Sequence, residues 1–405
     1  MKNVIFAAPL LSENASQLIA AIANLSGVRL GVIAHDPLEK LSEPLRSRVA
    51  AHWRVDDILN ADQLGWAVEN LSARLGVIDR LFAAYEQLQV PIAQVRERFG
   101  IDGMSAEVAR NFRDKGRMKE LLRQAGLPCA RSRTVSTAAE ARQAATEIGY
   151  PIVYKPLQGA GALSTFRIDN ADQLNDVLRI QPPEASTVLI EEHILGDEHS
   201  FESISIDGRT AWHSLTIYQP TPLEVLRNDW IQWCILLPCE IDDERYDDIR
   251  AAAAKTLQVL GMQTGLTHLE WFRRRDGSLA ISEVAARPPG AQIMKLISYA
   301  HEIDFDAAWA KLMVFGTFEI PKRVWSTGVV FLRGQGAGRV KAIHRVEKAA
   351  REVGSLVVEA RFPAIGQAPT GSYEGEGWVI VRHHETAVVA RALERLITLI
   401  RVELG

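Results

Sequence analysis

The segment from Thr267 to Arg287 carries the densest chemical signal in this 405-residue chain. Asp276-Gly277 is a strong two-residue hairpin signal. If those residues form the loop, Arg275 pairs with Ser278, Glu270 lies across from Glu283, and His268 lies across from Ala285. Alternation along a strand then puts His268, Glu270, Glu283 and Ala285 on one face. Two carboxylates directly opposite each other are destabilising without a partner. A hard divalent cation removes the repulsion, and oxygen ligands completed by phosphate oxygens suit Mg²⁺, with Mn²⁺ as an alternative. The plainer reading is a solvent-facing acidic pair. The apolar flanking strand and the nearby Arg287 weigh against it. The inference depends on register, because a slip of one residue would separate the acids.

Three further segments carry charge in places that favour phosphate or hydroxyl ligands. Asp114-Lys115-Gly116-Arg117 sets a lysine at a helix start, where the helix dipole disfavours a cation. A phosphate at that end would reverse the cost. Tyr150-Pro151-Ile152-Val153-Tyr154-Lys155-Pro156 is an apolar strand ending in lysine. It leads through Gly159-Ala160-Gly161-Ala162-Leu163-Ser164 to a second strand, Phe166-Arg167-Ile168. Glycines allow backbone N–H groups close to phosphate oxygens, and Lys155 adds a point charge. In Val188-Leu189-Ile190-Glu191-Glu192-His193-Ile194 and on to Glu198, an apolar run meets dense acids that hydroxyl donors or cations would relieve. Each segment also has an ordinary reading, as a solvated helix, a plain hairpin or an exposed strand end.

These residues need elements to hold them. Apolar runs at 4–9 and 28–36 flank a helical pattern capped by Ser12 or Asn14. This spacing predicts a small, doubly wound α/β domain. The Gly-rich dinucleotide fingerprint is missing after the first strand, so no nicotinamide site is expected there. Helices are predicted at roughly 84–99 and 105–125, the second starting at Ser105 and stopping near Gly126 and Pro128. Strand and helix patterns alternate from 130 to 195, and an α+β stretch runs to 320. Gly377-Trp378-Val379-Ile380-Val381-Arg382 reads as a strand, followed by a closing helix at about 385–400. The divisions are 1–104, 105–320 with a lid at about 130–190, and 321–405.

Composition is ordinary for a globular chain, 47% hydrophobic and 24% charged, with a net charge of −4. That balance gives no electrostatic case for nucleic acid, and no apolar run is long enough to span a bilayer. The N-terminal run reads as a buried strand in preference to a signal peptide. Cys129, Cys234 and Cys239 are few and scattered, which argues for inert thiols in a reducing, cytoplasmic setting and against a zinc site. Trp212, Trp230 and Trp233 read as core packing or, less simply, as a wall of a substrate pocket.

Taken in order, these segments resemble the ATP-grasp superfamily, an α/β (α+β) fold with an N-terminal doubly wound domain and a C-terminal lobe. The resemblance implies that Lys115 and Lys155 hold ATP phosphates under a loop containing Gly159, Gly161 and Ser164. It implies that Glu191, Glu192 and Ile194 meet the adenine, Glu198 the ribose, and Glu270 and Glu283 the Mg²⁺. Arg287 would bind the acyl phosphate or a substrate carboxylate. The first domain and C-terminal segment resemble the biotin-carboxylase-like branch, in which a homodimer is the expectation. His268-Leu269-Glu270 with Glu283-Val284-Ala285-Ala286-Arg287 resembles the L-amino acid ligases. Ala285 stands where many ATP-grasp enzymes have a metal-binding asparagine, as it does in those ligases. Ala162-Leu163 stands where Ser-x-Gly is usual.

The expected activity is therefore activation of a carboxylate as its acyl phosphate and capture by an amine, both small molecules. His268 is a candidate base by position alone, and packing against Ala285 explains it equally. Two other readings are a carboxylase or formyl-transfer enzyme acting on bicarbonate or formate, and a non-catalytic ATP-binding scaffold. The two facing carboxylates and both lysines disfavour the scaffold.

Overall fold

The computed structural model describes residues 1–158, 164–228 and 231–405, and the elements below are those of the described residues. The chain opens with four parallel strands, β1 (Lys2–Ala8), β2 (Val28–Ala34), β3 (Ala51–Arg54) and β4 (Arg80–Phe82), in the order β3-β2-β1-β4. Alternate residues of β1 serve opposite layers. Val4, Phe6 and Ala8 pack with the helix Glu13–Ala23, while Ile5 and Ala7 pack with the helices Ala61–Leu75 and Gln89–Phe99. Burial on both faces is why β1 reads as a continuous apolar run and not as an alternating one. Ser12 is the cap of the first helix, its hydroxyl accepting from the Ala15 N–H at 3.3 Å.

Two helix expectations need correction. The stretch 84–99 begins as a short 3₁₀ turn, Glu86–Leu88, before the helix Gln89–Phe99. The stretch 105–125 is two helices, Ala106–Arg113 and Lys115–Gln124, broken at Asp114. Asp114 is extended, and its carboxylate accepts from the Arg117 N–H at 3.0 Å. An aspartate caps a new helix better than it continues an old one. The break puts Lys115 at the first position of the second helix.

A four-stranded antiparallel sheet follows, made of β5 (Ser132–Val135), β6 (Ile152–Pro156), β7 (Phe166–Ile168) and β8 (Val188–Glu192), ordered β5-β8-β6-β7. One face is covered by the helices Ala138–Ile148 and Ala171–Ile180. The largest sheet has eight strands. They are β9 (Gly196–Ile206), β10 (Arg209–Gln219), β11 (Trp233–Leu237), β12 (Gly265–Arg274), β13 (Leu279–Ala285), β14 (Ser326–Leu332), β17 (Val357–Arg361) and β18 (Gly377–His383). Their order is β13-β12-β9-β10-β11-β14-β18-β17. Strands after residue 321 thus continue the sheet that begins with the hairpin β12–β13. A small third layer, β15 (Gly334–Gln335), β16 (Val340–His344) and β19 (Arg401–Leu404), lies beside the helix Thr386–Leu399.

The hairpin β12–β13 reaches the expected pairing by an unexpected route. Glu270 lies across from Glu283 and His268 across from Ala285, but the turn holds three residues. The Gly277 N–H donates to the Arg274 carbonyl and the Arg274 N–H to the Ser278 carbonyl, with Gly277 left-handed at φ 84°. That is a type I turn closed by a glycine bulge. A second irregularity, between Glu270 and Trp271, absorbs the extra residue. The two shifts cancel. Between them Trp271 pairs with Ile281, and both are fully buried. A two-residue turn would have set Trp271 against Ser282, so burial of the apolar pair selects the longer turn.

Candidate active site

Strands β13, β12, β9 and β10 lie side by side, and their polar residues form a lattice on one face. Glu283 pairs with Glu270, Glu270 with Ser200, and Ser200 with Thr216. In the next row Ala285 pairs with His268, His268 with Glu202, and Glu202 with Ser214. Glu202 is fully buried. It accepts from the Ser200 hydroxyl at 2.6 Å and the Thr216 hydroxyl at 2.8 Å, and lies 2.8 Å from His268 Nδ1. The other ring nitrogen, Nε2, is 3.4 Å from Glu270 Oε1. Burial would discharge the imidazole, but Glu202 and Glu270 prevail and push it up to about 9. His268 is therefore charged at neutral pH, with an N–H toward each carboxylate. Burial also acts on Glu270, which His268 holds below the usual carboxylate range.

The opposite wall is cationic. Lys115 and Lys119 are one helical turn apart and share a face. Lys115 Nζ lies 2.9 Å from Glu283 Oε1. Lys155, at the end of β6, pairs with Glu191 Oε1, and Lys119 Nζ sits 3.3 Å from Glu191 Oε2. Burial would raise the Glu191 carboxyl, but the two ammonium groups hold it down at about 2. Lys119 is fully buried, which lowers its own value, and it also donates to the Ile281 carbonyl at 3.1 Å. Glu192, next along β8, bonds Arg131 at 2.9 Å and Arg274 at 2.7 Å.

Between these walls runs a cleft of about 890 Å³. It is lined by Lys115, Lys155, Glu191, Glu192, Ile194, Glu198, His268, Glu270, Glu283 and Arg287, with Tyr218, Trp233, Ile293 and Tyr373 as apolar and aromatic surface. Residues spread over 259 positions of sequence, from Lys115 to Tyr373, meet there. Gly159, Gly161 and Trp230 lie outside the described residues. Ser164 is exposed, left-handed at φ 56°, and not among the lining residues. Trp212 packs in the core against Phe305 and His301, away from the cleft. Cys234 is buried, which pushes its thiol up to about 12.

The acid end of the cleft suits a hard divalent cation. Glu198 is buried beside Glu270 and Glu283, and burial, then Glu270, raises its carboxyl well above the usual range. Three carboxyls thus crowd one space, and burial with the neighbouring Glu270 charge disfavours ionisation of Glu198. A divalent cation on Glu270 and Glu283 would relieve the same crowding, with oxygen donors of the kind Mg²⁺ takes. No closed cage of three or more His, Cys, Asp or Glu occurs among the described residues.

Glu202, Lys119, Glu86 and Tyr373 were not singled out from sequence. The alternation Glu198-Ser200-Glu202 could have marked Glu202 as sharing the face of Glu198. The four-residue spacing could have marked Lys119. Nothing local marks Glu86, whose Oε2 lies 3.2 Å from Arg287 Nε across 201 residues of sequence.

The chain is also similar to known proteins. The ATP-grasp domain family matches residues 120–296. The chain is 27% identical to the L-arginine-specific L-amino acid ligase of Bacillus subtilis over 261 residues, 63% of this chain and 62% of that protein. It is also 27% identical to the alanine–anticapsin ligase of Bacillus subtilis strain 168 over 260 residues, 59% of this chain and 54% of that one. Each match spans less than two thirds of the relative's own length. The crystal structure of an L-amino acid ligase from Bacillus licheniformis superposes with a TM-score of 0.80 at 18% identity, covering 100% of this chain and 99% of that chain. At that identity the likeness concerns the fold.

Proposed function

We propose that this chain, which carries an ATP-grasp domain on the ATP-grasp fold, is an ATP- and Mg²⁺-dependent carboxylate–amine ligase of the amino-acid or dipeptide type. The observation that carries this reading is the facing pair Glu270 and Glu283, with Lys115 bonded to Glu283, opposite Lys155 and beside Arg287 in one cleft. The ligase names of the two relatives support it. Within this reading residues 1–104 form the first domain, 105–320 the ATP-grasp domain and 321–405 the C-terminal lobe. A cytoplasmic setting and a pairing of two copies belong to the same proposal; no helix of the described residues is long and apolar enough to cross a membrane.

Lys115 and Lys155 hold phosphate oxygens of the nucleotide, and Arg287 holds the carboxyl group to be activated. Charge that spreads over the transferring oxygens meets three fixed cations whose positions are set before reaction. Mg²⁺ on Glu270 and Glu283, when bound, neutralises phosphate charge and orients the phosphates. His268, an imidazolium between Glu202 and Glu270, holds Glu270 in place. Both ring nitrogens face carboxylates, so neither is free to take the proton of the attacking amine, and we assign His268 to positioning. Tyr218, Trp233, Ile293 and Tyr373 narrow the cleft around the activated carboxyl and limit attack by water.

The test is phosphate release from Mg·ATP, with the twenty amino acids supplied singly and in pairs. Release that depends on an amino acid, with ADP and a peptide product by mass, is the expected result. Release with bicarbonate or formate and no amine would replace this reading with the carboxylase one. ATP binding without turnover under any pairing would replace it with the scaffold.

A further inference from the structure

We propose that Glu86 is a positioning residue, a carboxylate of the opening α/β layer that aims Arg287 at the carboxyl group being activated. The inference rests on the ligase reading above and adds a part to it.

Glu86 begins the 3₁₀ turn that follows β4, and is only 4% exposed. Its two oxygens are divided between two arginines. Oε1 accepts from Arg113 Nη1 at 2.6 Å, and Oε2 accepts from Arg287 Nε at 3.2 Å. Arg287 Nη1 donates to the Pro288 carbonyl at 2.9 Å. Two of the three nitrogens of this guanidinium are therefore fixed by the protein. Nη2 has no hydrogen-bond partner among the described residues, on a side chain that lines the cleft with Glu270 and Glu283. A planar guanidinium gripped along one edge presents the other in a set direction, the geometry that recognises a carboxylate or phosphate.

Charge supports the same conclusion. Arg113, Glu86 and Arg287 sum to one net positive charge in a largely buried cluster. A buried carboxylate between two guanidiniums adds little net stability, because desolvation offsets most of the attraction. Glu270 already offsets part of the charge of Arg287, and the carboxyl of the proposed substrate is the anion we assign to its remaining edge. Glu86 also links two segments that must stay in register. Arg113 lies two residues before Lys115, and Arg287 four residues after Glu283. The opening domain thereby enters the site through one side chain.

The test uses the full chain and the amino acid that gives the largest phosphate release in the wild-type screen. Glu86→Gln is expected to raise the KM for that amino acid about tenfold while the KM for ATP changes by less than about twofold. In an Arg287→Ala background the same substitution is expected to change neither constant further, because the residue through which it acts is gone. Glu86→Asp keeps the charge and draws the grip back by one methylene, so a smaller rise in the same KM is expected. This variant carries the test if Glu86→Gln does not fold. A wild-type KM for the amino acid in folded Glu86→Gln or Glu86→Asp would overturn the proposal. An effect of equal size with and without Arg287 would do the same. Absence of any amino-acid-dependent release from the wild-type enzyme would instead remove the ligase reading, and this role with it.

Discussion

Glu191 stands between two buried lysines, paired with Lys155 through one oxygen and 3.3 Å from Lys119 through the other. Lys155 lines the cleft, whereas Lys119 lies behind it with no exposed surface. One carboxylate therefore serves a cation that lines the cleft and one buried behind it. Glu191→Gln removes the counter-charge and leaves Lys119 charged in the interior with only neutral oxygens, such as the Ile281 carbonyl, to accept from it. Breaking a buried pair in this way costs about 3–5 kcal/mol. Urea unfolding should show a loss of that size. A loss below about 1 kcal/mol would mean that Lys119 sheds its proton on burial and needs no counter-ion.

Lys155→Ala separates binding from folding. Lys119 still satisfies Glu191, so the fold survives, while a cation facing the cleft disappears. A charged hydrogen bond to phosphate is worth about 1.5–3 kcal/mol, so nucleotide affinity should fall by roughly ten- to a hundredfold. Calorimetric titration with a non-hydrolysable ATP analogue measures it. Unchanged affinity would remove Lys155 from the phosphate site.

Glu283→Gln removes one of the two facing carboxylates and keeps its shape. Turnover should drop by at least about a hundredfold, with an unchanged circular dichroism spectrum. Near-normal turnover would mean that the hairpin β12–β13 holds no metal. Replacing Mg²⁺ by EDTA should have the same effect on the wild-type enzyme.

His301 makes stability depend on pH without touching the cleft. It is 4% exposed, packed edge-on to Trp212 at 5.5 Å and 3.4 Å from an Arg323 nitrogen. Burial, and then Arg323, lower it from 6.5 to about 4. Its folded value lies below its unfolded one, so the unfolded chain binds the proton first as pH falls. The contribution is intact above pH 6.5, declines from there, and is gone at about pH 4, a change of about 3 kcal/mol. Urea unfolding at pH 4, 5 and 7 should show this slope in the wild type and a shallower one in His301→Gln. Equal slopes would mean that His301 is protonated in the fold.

What the sequence disclosed, and what it withheld, follows from the range of each interaction. Ser12, Ser105 and the Asp276-Gly277 turn act over two or three residues and are visible locally. The pairing of Glu270 with Glu283 matches the expectation although the turn does not, because the irregularity between Glu270 and Trp271 cancels the extra turn residue. The count of turn residues was not legible, since it depends on burying Trp271 against Ile281. The break at Asp114 hides inside a helical pattern, because a capping aspartate and a mid-helix aspartate look alike until the chain direction changes. Glu202 shares the alternation of Glu198 and Ser200, but its bond to His268 becomes visible only once β9 lies beside β12. Glu86 could not be found at all from sequence, because its two partners come from other layers of the molecule.

The order of the eight-stranded sheet has a consequence for how the molecule is made. β11 is flanked by β14, which arrives some ninety residues later, and β14 by β18, later still. Until those strands emerge, β11 is an unpaired edge beside a finished cleft wall. A nascent or truncated chain ending near residue 320 would expose that edge to other copies of itself. The long sequence separation of these pairings also makes closure of the sheet a slow step in folding. The hairpin β12–β13 at one end of the sheet thus waits on strands at the other, and a shortened chain would aggregate before it could be assayed.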